Sequence, residues 1–260
     1  MTFGQITGVP ILDYHRIAAT GRPVLNGDRF AVHESAFRDQ LQFLRDQGFS
    51  VVASEDVAAG KLPAKSAALT FDDGYLSHYD VAFRLLTEFG FLGTFFVNTS
   101  SIGSGEFLLW PMVEEMSRAG MRFGSHAHNH VVLTTLSVQR VTEELRVSRQ
   151  ILEQRLSCKV EALAVPYGFC SQRVLDSAWE SGYSVVCTSR PWPAQQGRRV
   201  LSRVAVLQET TLKDFRRLVE RDSAVYLGSW SRDRALAIPR YVFVRLRPSL
   251  LGVRTAEDSL

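Results

Sequence analysis

Short apolar runs recur along the whole chain, and each has the length of a β-strand. Val, Ile, Leu and Phe fill these runs almost continuously, which is typical of parallel strands that are buried on both faces. The runs are VPILDYH, FSVVAS, AALTFDD, LGTFFVN, MRFGSH, VEALAVPYG, YSVVCTS and RVAVLQ. Each of them predicts one strand of a parallel sheet.

Segments between these runs carry apolar residues at helical spacing. In FRDQLQFLRDQG, Phe37, Leu41 and Leu44 share one face and the helix stops at Gly48, and YDVAFRLLTEFG repeats the pattern. The segment LSVQRVTEELRVSRQILEQRL opens with Ser137 as an N-cap. Its apolar stripe consists of Val141, Leu145, Val147, Ile151 and Leu152. Strands that alternate with helices predict βα units around a parallel sheet.

Polar and reactive residues fall at the C-terminal ends of the predicted strands. They are His15, Asp72, Asp73, Asn98, His126 and Tyr167. Enzymes with a (β/α) barrel build their active sites at this face, so we predict an α/β protein with a distorted (β/α)7-8 barrel as a single domain. An open doubly wound sheet is the alternative, because it also binds ligands at its strand ends.

The composition is that of an ordinary globular protein. Of the 260 residues 45% are apolar and 22% are charged, which excludes a disordered chain, and the net charge of +3 does not indicate nucleic-acid binding. No apolar stretch of about 18 residues and no signal-peptide pattern occur. The three cysteines are odd in number and lack metal-motif spacing. We therefore expect reduced thiols and a cytoplasmic protein.

Two adjacent carboxylates follow a buried strand in the segment TFDDG. Neighbouring residues on extended backbone point in different directions, so either Asp72 or Asp73 could face a metal while the other faces a bound water. The alternative is an Asp-Asp-Gly turn with solvated carboxylates.

A histidine cluster follows in GSHAHNH, which holds three of the six histidines. His126 and His130 are four residues apart and would share a face in a helical turn, a spacing that other metal sites use. Two imidazoles and one carboxylate leave coordination positions free for water and substrate, as a hydrolytic metal centre requires. We assign His128 to a surface or supporting position, although an extended segment would put all three histidines on one face.

Three motifs in this order, TFDDG, GSHxxxH and the PYG of Pro166 to Gly168, resemble those of the polysaccharide deacetylases, the NodB-homology family or carbohydrate esterase family 4. The resemblance runs from about Val9 to Val219. It implies a NodB-type distorted barrel that uses one divalent metal ion to remove acetyl groups from N-acetylated sugars. The implied metal is zinc, with nickel, cobalt and iron as alternatives.

The resemblance also implies roles for individual residues. Asp73, His126 and His130 would bind the metal, and Asp72 would be the general base. The backbone N–H of Tyr167 would help to hold the tetrahedral oxyanion, and its neighbours Pro166 and Gly168 would contact substrate in the same turn.

Two family residues are absent from their usual places. The arginine that precedes the PYG turn is replaced by Ala164, and no histidine follows His130. VPILDYHRI is similar to a permuted branch that deacetylates poly-N-acetylglucosamine and carries its acid histidine on an N-terminal strand, so His15 is the candidate acid. The alternative is that His15 only packs or caps. We further hypothesise that Arg203 replaces the missing arginine.

Two more residues are candidate substrate contacts. Asp13 lies two residues before His15 and on the same strand face, where it could orient His15 and raise its pKa or contact a polar substrate group. Trp192 could stack on a sugar ring, or it could anchor its loop by packing on the barrel rim.

We divide the chain into a barrel at residues 1–220 and a basic C-terminal extension at 221–260. The extension interleaves arginines with aromatic residues: Arg232, Arg234, Arg240, Arg245 and Arg247 with Trp230, Tyr241 and Phe243. YVFVRLR alternates like a strand, so an extra barrel strand is the first expectation. The alternatives are contact with a biosynthetic complex or peripheral contact with the inner membrane face.

The sequence therefore predicts a metal-dependent deacetylase of an N-acetylated oligo- or polysaccharide, with a lipid-linked precursor in exopolysaccharide biosynthesis as one candidate substrate. Two alternatives stay open at this point. The same centre could hydrolyse a formyl group or another small amide, or a barrel without turnover could only bind saccharide.

Overall fold

The computed structural model describes residues 4–21 and 28–231, which form a barrel of parallel strands with helices around it. Its strands are β1 (Ile11–Tyr14), β2 (Arg16–Ala18), β3 (Ala31–His33), β4 (Ser50–Val52), β5 (Ser66–Phe71), β6 (Thr94–Val97), β7 (Arg122–Ser125), β8 (Ala162–Ala164), β9 (Val185–Thr188), β10 (Val200–Ser202) and β11 (Val204–Ala205). Its helices are α1 (Glu34–Asp46), α2 (Ser54–Ala59), α3 (Arg84–Phe89), α4 (Trp110–Arg118), α5 (Val138–Leu156), α6 (Gln172–Glu180) and α7 (Leu212–Val219).

The strand order nearly closes the sheet on itself. It runs β10-β9-β8-β7-β6-β5-β1-β11, with β4 pairing on β5, and the pairs are parallel. Only Arg203 separates β10 from β11, so one short stretch of chain pairs with β9 at one end and with β1 at the other. The predicted distorted barrel is confirmed, and the fold is not an open doubly wound sheet.

Alternate residues of each strand face the interior of the barrel. Ile11 packs with Ala68, Phe96 and Leu201 in one apolar cluster, whereas Tyr14 stacks edge-on against a phenylalanine of α1. The interior is tightly packed and requires a glycine at position 124, because a Cβ on Gly124 would come within 2.5 Å of the Phe96 ring. The two-residue period of a strand directs the polar residues of the site inward as well.

Several elements differ from the sequence pattern. The small parallel sheet of β2 with β3 was not predicted, nor was β10, because their segments RIA, AVH and VLS lie outside the continuous apolar runs. A π-helical turn over His78–Phe83 precedes α3.

The buried face of α5 also departs from the predicted stripe. Val141, Leu145 and Leu152 are buried as expected, but Val147 and Ile151 are only half-buried. The remaining buried positions are Glu144 and Ser148, which are polar.

Three further expectations concern the chain as a whole. Cys158, Cys170 and Cys187 form no disulfide. Within residues 4–21 and 28–231, no helix has the length and apolar character needed to cross a membrane. Residues 223–231 are helical, and the arginines and aromatics predicted to act beyond them, from Arg232 to Arg247, lie outside the described residues.

Candidate active site

A buried arginine holds the first carboxylate of the TFDDG segment. Arg203 donates from Nη1 to Oδ1 of Asp72 and from Nη2 to Oδ2, both at 2.7 Å. Asp72 is fixed from its backbone too, because its N–H extends the β-ladder by donating to the Tyr14 carbonyl at 2.8 Å. This two-pronged pairing fixes both the position and the plane of the carboxylate.

The same guanidinium group contacts two more polar side chains inside the barrel. Nη1 lies 3.3 Å from Oδ1 of Asp13 and 3.2 Å from Oγ1 of Thr70. Burial raises the pKa of Asp13 to about 6, although the charge of Arg203 opposes this shift. Burial also raises the pKa of Asp72, but Arg203 and His126 lower it by more, so that it lies below its usual value. Asp72 is therefore an anion at neutral pH.

Asp73 points away from Asp72 towards the histidines. Its φ of 76° turns the chain out of β5, so a tight turn separates the two carboxylates, whereas the sequence suggested extended backbone. Oδ1 of Asp73 lies 3.4 Å from Nε2 of His126 and 3.1 Å from Nε2 of His130. Burial raises the pKa of Asp73, but the two histidines lower it to well below its usual value.

The segment that carries the histidines is a loop, so the predicted helical turn is wrong. Residues 126–130 are irregular, and left-handed backbone at Ala127 (φ 62°) and His130 (φ 54°) folds the loop back on itself. The rings of His126 and His130 meet with centroids 4.8 Å apart. His128 lies in the supporting position expected, with Nδ1 2.8 Å from the Thr99 hydroxyl.

The cluster of Asp73, His126 and His130 fits a divalent metal ion. The three ligand atoms lie within 4.8 Å of one another, and at metal bonds of about 2.1 Å the ligand atoms of a tetrahedral site are about 3.4 Å apart. Nδ1 of His126 contacts the Ala164 carbonyl at 2.8 Å, which leaves Nε2 with a lone pair in the neutral imidazole. Oδ1 of Asp73 is buried and has no well-aligned donor, so a cation would satisfy both atoms.

His15 follows β1 at the edge of the same cluster. The register of β1 with β5 pairs Tyr14 with Phe71, so His15 leaves β1 beside the point where Asp72 leaves β5. Nδ1 lies 3.9 Å from Oδ1 of Asp13, and the ring packs on Phe30 with centroids 4.7 Å apart. Asp13 contacts the side chains of both Arg203 and His15, which favours support of His15 over contact with substrate.

The PYG turn borders the site on the side of β8. Tyr167 has a φ of 60°, and its ring lies over that of His130 with centroids 4.6 Å apart. Pro166 is buried, and a Cβ on Gly168 would come within 2.7 Å of Ser189. Trp192 packs against Tyr226 with ring centroids 6.2 Å apart, which favours the loop-anchor interpretation of that residue.

Two residues that contact the site were missed in the sequence. His78 is fully buried and makes a short contact from Nε2 to the backbone carbonyl of His15. The pKa of Tyr75 is raised above its usual value, first by burial and then by the negative charge of Asp73. Because Tyr75 directly follows the DDG turn, the sequence could have indicated that it lies near the two carboxylates. Nothing in the sequence connects His78 with His15.

Known proteins share both the sequence motifs and the fold. Residues 59–186, about half of the chain, match the model of the polysaccharide deacetylase family. YxkH of Bacillus subtilis, named as a polysaccharide deacetylase, is 28% identical over 205 residues, which cover 76% of this chain and 71% of that protein. The poly-β-1,6-N-acetyl-D-glucosamine N-deacetylase of Staphylococcus epidermidis is 24% identical over 66% of this chain and 65% of its own length, slightly less than two thirds.

A solved deacetylase structure is similar to this chain in fold. The Streptococcus pyogenes deacetylase PplD, determined in complex with acetate, superposes with a TM-score of 0.75 and is 27% identical. The match covers 82% of this chain and 98% of that one. The similarity therefore extends beyond residues 59–186.

Proposed function

The chain carries a domain of the polysaccharide deacetylase family at residues 59–186, and from this premise we propose that it is a metal-dependent N-deacetylase of amino sugars. One observation carries the proposal. A carboxylate held by two hydrogen bonds from Arg203 lies beside the cluster that fits a metal, since Oδ2 of Asp72 is 3.9 Å from Nε2 of His126. Base and metal ligands are thus fixed side by side.

In the proposed centre Asp73, His126 and His130 hold the metal ion. When bound, a divalent metal polarises the amide carbonyl and acidifies the attacking water. The histidines must be neutral to act as ligands. Burial lowers the pKa of His126, whereas Asp72, Asp73 and the Ala164 carbonyl raise it above its usual value, so metal binding at this residue is coupled to proton release.

Asp72 is the proposed general base. It accepts a proton from the water as the water oxygen bonds to the carbonyl carbon, and its anionic state at neutral pH supports this role. Arg203 keeps the carboxylate oriented throughout, and the backbone N–H of Tyr167 is the proposed donor to the developing oxyanion.

His15 is the proposed general acid. As the carbon–nitrogen bond breaks, it protonates the leaving nitrogen, so that the products are acetate and a free amino sugar. Oδ1 of Asp13 lies 3.9 Å from Nδ1 of His15, and we propose that this carboxylate stabilises the protonated imidazole. The saccharide of a relative is named as poly-β-1,6-N-acetyl-D-glucosamine, and we propose a substrate of this class, an oligo- or polysaccharide of N-acetylated amino sugars.

The alternative of a barrel without turnover rested on the missing arginine before the PYG turn. The position of Arg203 on both oxygens of Asp72 supports the proposal of turnover over that alternative. The acyl group is decided by assaying acetate and formate together.

The test is product release from β-1,6-linked N-acetylglucosamine oligomers by the wild type, Asp72→Asn and the exposed control Asp80→Asn. We expect acetate from the wild type and the control, and a loss of about 10²- to 10⁴-fold in Asp72→Asn, the usual cost of removing a general base. Stoichiometric metal without acetate release would contradict the proposal, and formate would identify a different acyl group.

A further inference from the structure

The loop that carries the two metal-binding histidines is attached to one face of α5. Glu144 accepts two hydrogen bonds from Asn129: Oε2 from its backbone N–H at 2.8 Å and Oε1 from its side-chain Nδ2 at 2.7 Å. Glu144 is 5% exposed, whereas Asn129 is half-buried. Asn129 is the residue directly before His130.

One turn further along α5, a second polar contact fixes the start of the loop. The Ser125 hydroxyl donates to Ser148 Oγ at 2.9 Å and accepts the backbone N–H of Ala127 at 3.1 Å. Ser148 is fully buried. The two polar residues on the buried face of α5 thus hold both ends of the histidine loop.

The loop needs such support because of its backbone. Ala127 and His130 both have φ above 50°, a region that residues with a side chain adopt reluctantly. Without external hydrogen bonds, the segment would relax to other backbone conformations, and the imidazoles of His126 and His130 would separate. Buried polar groups on a helix face also carry a desolvation cost, which the contacts with the loop offset.

We propose that Glu144 is a positioning residue of the metal centre, which holds Asn129 so that His126 and His130 present Nε2 to one point before any metal binds. This inference rests on the proposed metal centre. It assigns no contact with substrate to Glu144, which acts through the loop alone.

The test is a titration of the metal-free full chain with Co²⁺, followed by the visible absorption of the bound ion. In Glu144→Gln a neutral amide replaces the carboxylate, so both charge-assisted hydrogen bonds from Asn129 are lost, and a turned Asn129 amide restores only a weaker neutral one. We expect Co²⁺ affinity to fall by about 10- to 100-fold, the usual effect of changing a residue that orients metal ligands. The matched control is Glu143→Gln, the exposed neighbour on the same helix, which should bind like the wild type.

A double variant separates positioning from charge and from folding. Asn129→Asp combined with Glu144→Gln restores the net charge and reverses the direction of the side-chain hydrogen bond, since the new amide donates to the new carboxylate. We expect it to recover most of the Co²⁺ affinity and the wild-type spectrum. If Glu144→Gln fails to fold, Asn129→Ala serves as the second variant. It removes the hydrogen bond from Asn129 Nδ2 but keeps the one from the backbone N–H, so Co²⁺ affinity should fall by a smaller factor.

The outcomes distinguish the two proposals. If the wild type binds no Co²⁺, the metal centre of the proposed function is wrong. If the wild type binds Co²⁺ and Glu144→Gln binds it as tightly as Glu143→Gln, or the double variant stays as weak as Glu144→Gln, the positioning role is wrong while the metal centre stands. Hydrogen exchange of residues 126–130 in metal-free protein reports the loop directly, and Glu144→Gln should accelerate it.

Discussion

Arg203 and Asp72 meet inside the barrel through two parallel hydrogen bonds of 2.7 Å, although 131 positions separate them in the sequence. The meeting depends on barrel closure, because Arg203 lies between the strand that pairs with β9 and the strand that pairs with β1. Inside the barrel the guanidinium group also lies over the Phe96 ring, 5.3 Å from its centroid.

This pairing predicts that a lysine cannot replace the arginine. Arg203→Lys keeps the charge but loses the planar fork, so one oxygen of Asp72 is left without a partner. We expect turnover to fall by about 10²-fold, within the range for disturbed general-base catalysis, while metal content stays unchanged. Steady-state acetate release and metal analysis check this, with the exposed Arg198→Lys as control. Unchanged turnover would remove Arg203 from the mechanism.

A general acid matters most for a poor leaving group, and this gives a test of His15. A sugar amine must be protonated as it leaves, whereas 4-nitrophenolate leaves without help. His15→Gln should therefore reduce amide hydrolysis by about 10²- to 10⁴-fold and spare hydrolysis of 4-nitrophenyl acetate, whereas Asp72→Asn should impair both. Equal losses on the two substrates in His15→Gln would show that His15 is not the acid.

The sequence predicted the barrel well because most strands are buried on both faces and read as continuous apolar runs. The local motifs also grouped Asp73, His126 and His130, and the structure brings their ligand atoms within 4.8 Å of one another. Prediction from the sequence failed where contacts between distant elements determine the local backbone conformation. The histidine loop is not helical because α5 holds it in left-handed turns, and a sequence pattern cannot distinguish four-residue spacing on a helix from the same spacing in a loop.

The polar residues Glu144, Ser148 and His78 were missed for a related reason. Each occupies a buried position that hydrophobic periodicity assigns to an apolar side chain or to none. Their partners lie on other elements, so only the folded structure shows why the polar group is tolerated. Asp13 was noticed as a departure from an apolar strand, but its contact with Arg203 required the closed barrel.

Metal binding should stabilise the fold by an amount that grows with the logarithm of the ratio of free metal concentration to Kd. At a free Zn²⁺ concentration of 100 times the Kd, linkage adds about 2.7 kcal/mol to the free energy of unfolding. His130→Gln should lose most of this gain because it removes a ligand, whereas His128→Gln should retain it because His128 contacts Thr99 instead. Thermal denaturation with Zn²⁺ and with EDTA measures both. Equal stabilisation of the two variants would contradict the ligand assignment.

The buried His78 imidazole should lower the free energy of unfolding at acidic pH. Burial lowers its pKa from the ordinary 6.5 to about 4, although the His15 carbonyl and the site carboxylates oppose this shift. Between these two values the unfolded chain binds a proton that the folded chain does not, so the free energy of unfolding falls as the pH falls. At about 1.4 kcal/mol for each pH unit, the full window amounts to about 3 kcal/mol.

His78→Gln keeps a donor for the His15 carbonyl but cannot titrate. Its free energy of unfolding, from urea denaturation in EDTA, should therefore depend less on pH than that of the wild type between the two pKa values. Removing metal in all samples matters, because proton competition at His126 and His130 would otherwise add its own pH dependence. The exposed His33→Gln has no buried imidazole to lose and should follow the wild-type curve. If His78→Gln also follows it, the buried His78 imidazole is not the source of the acid sensitivity.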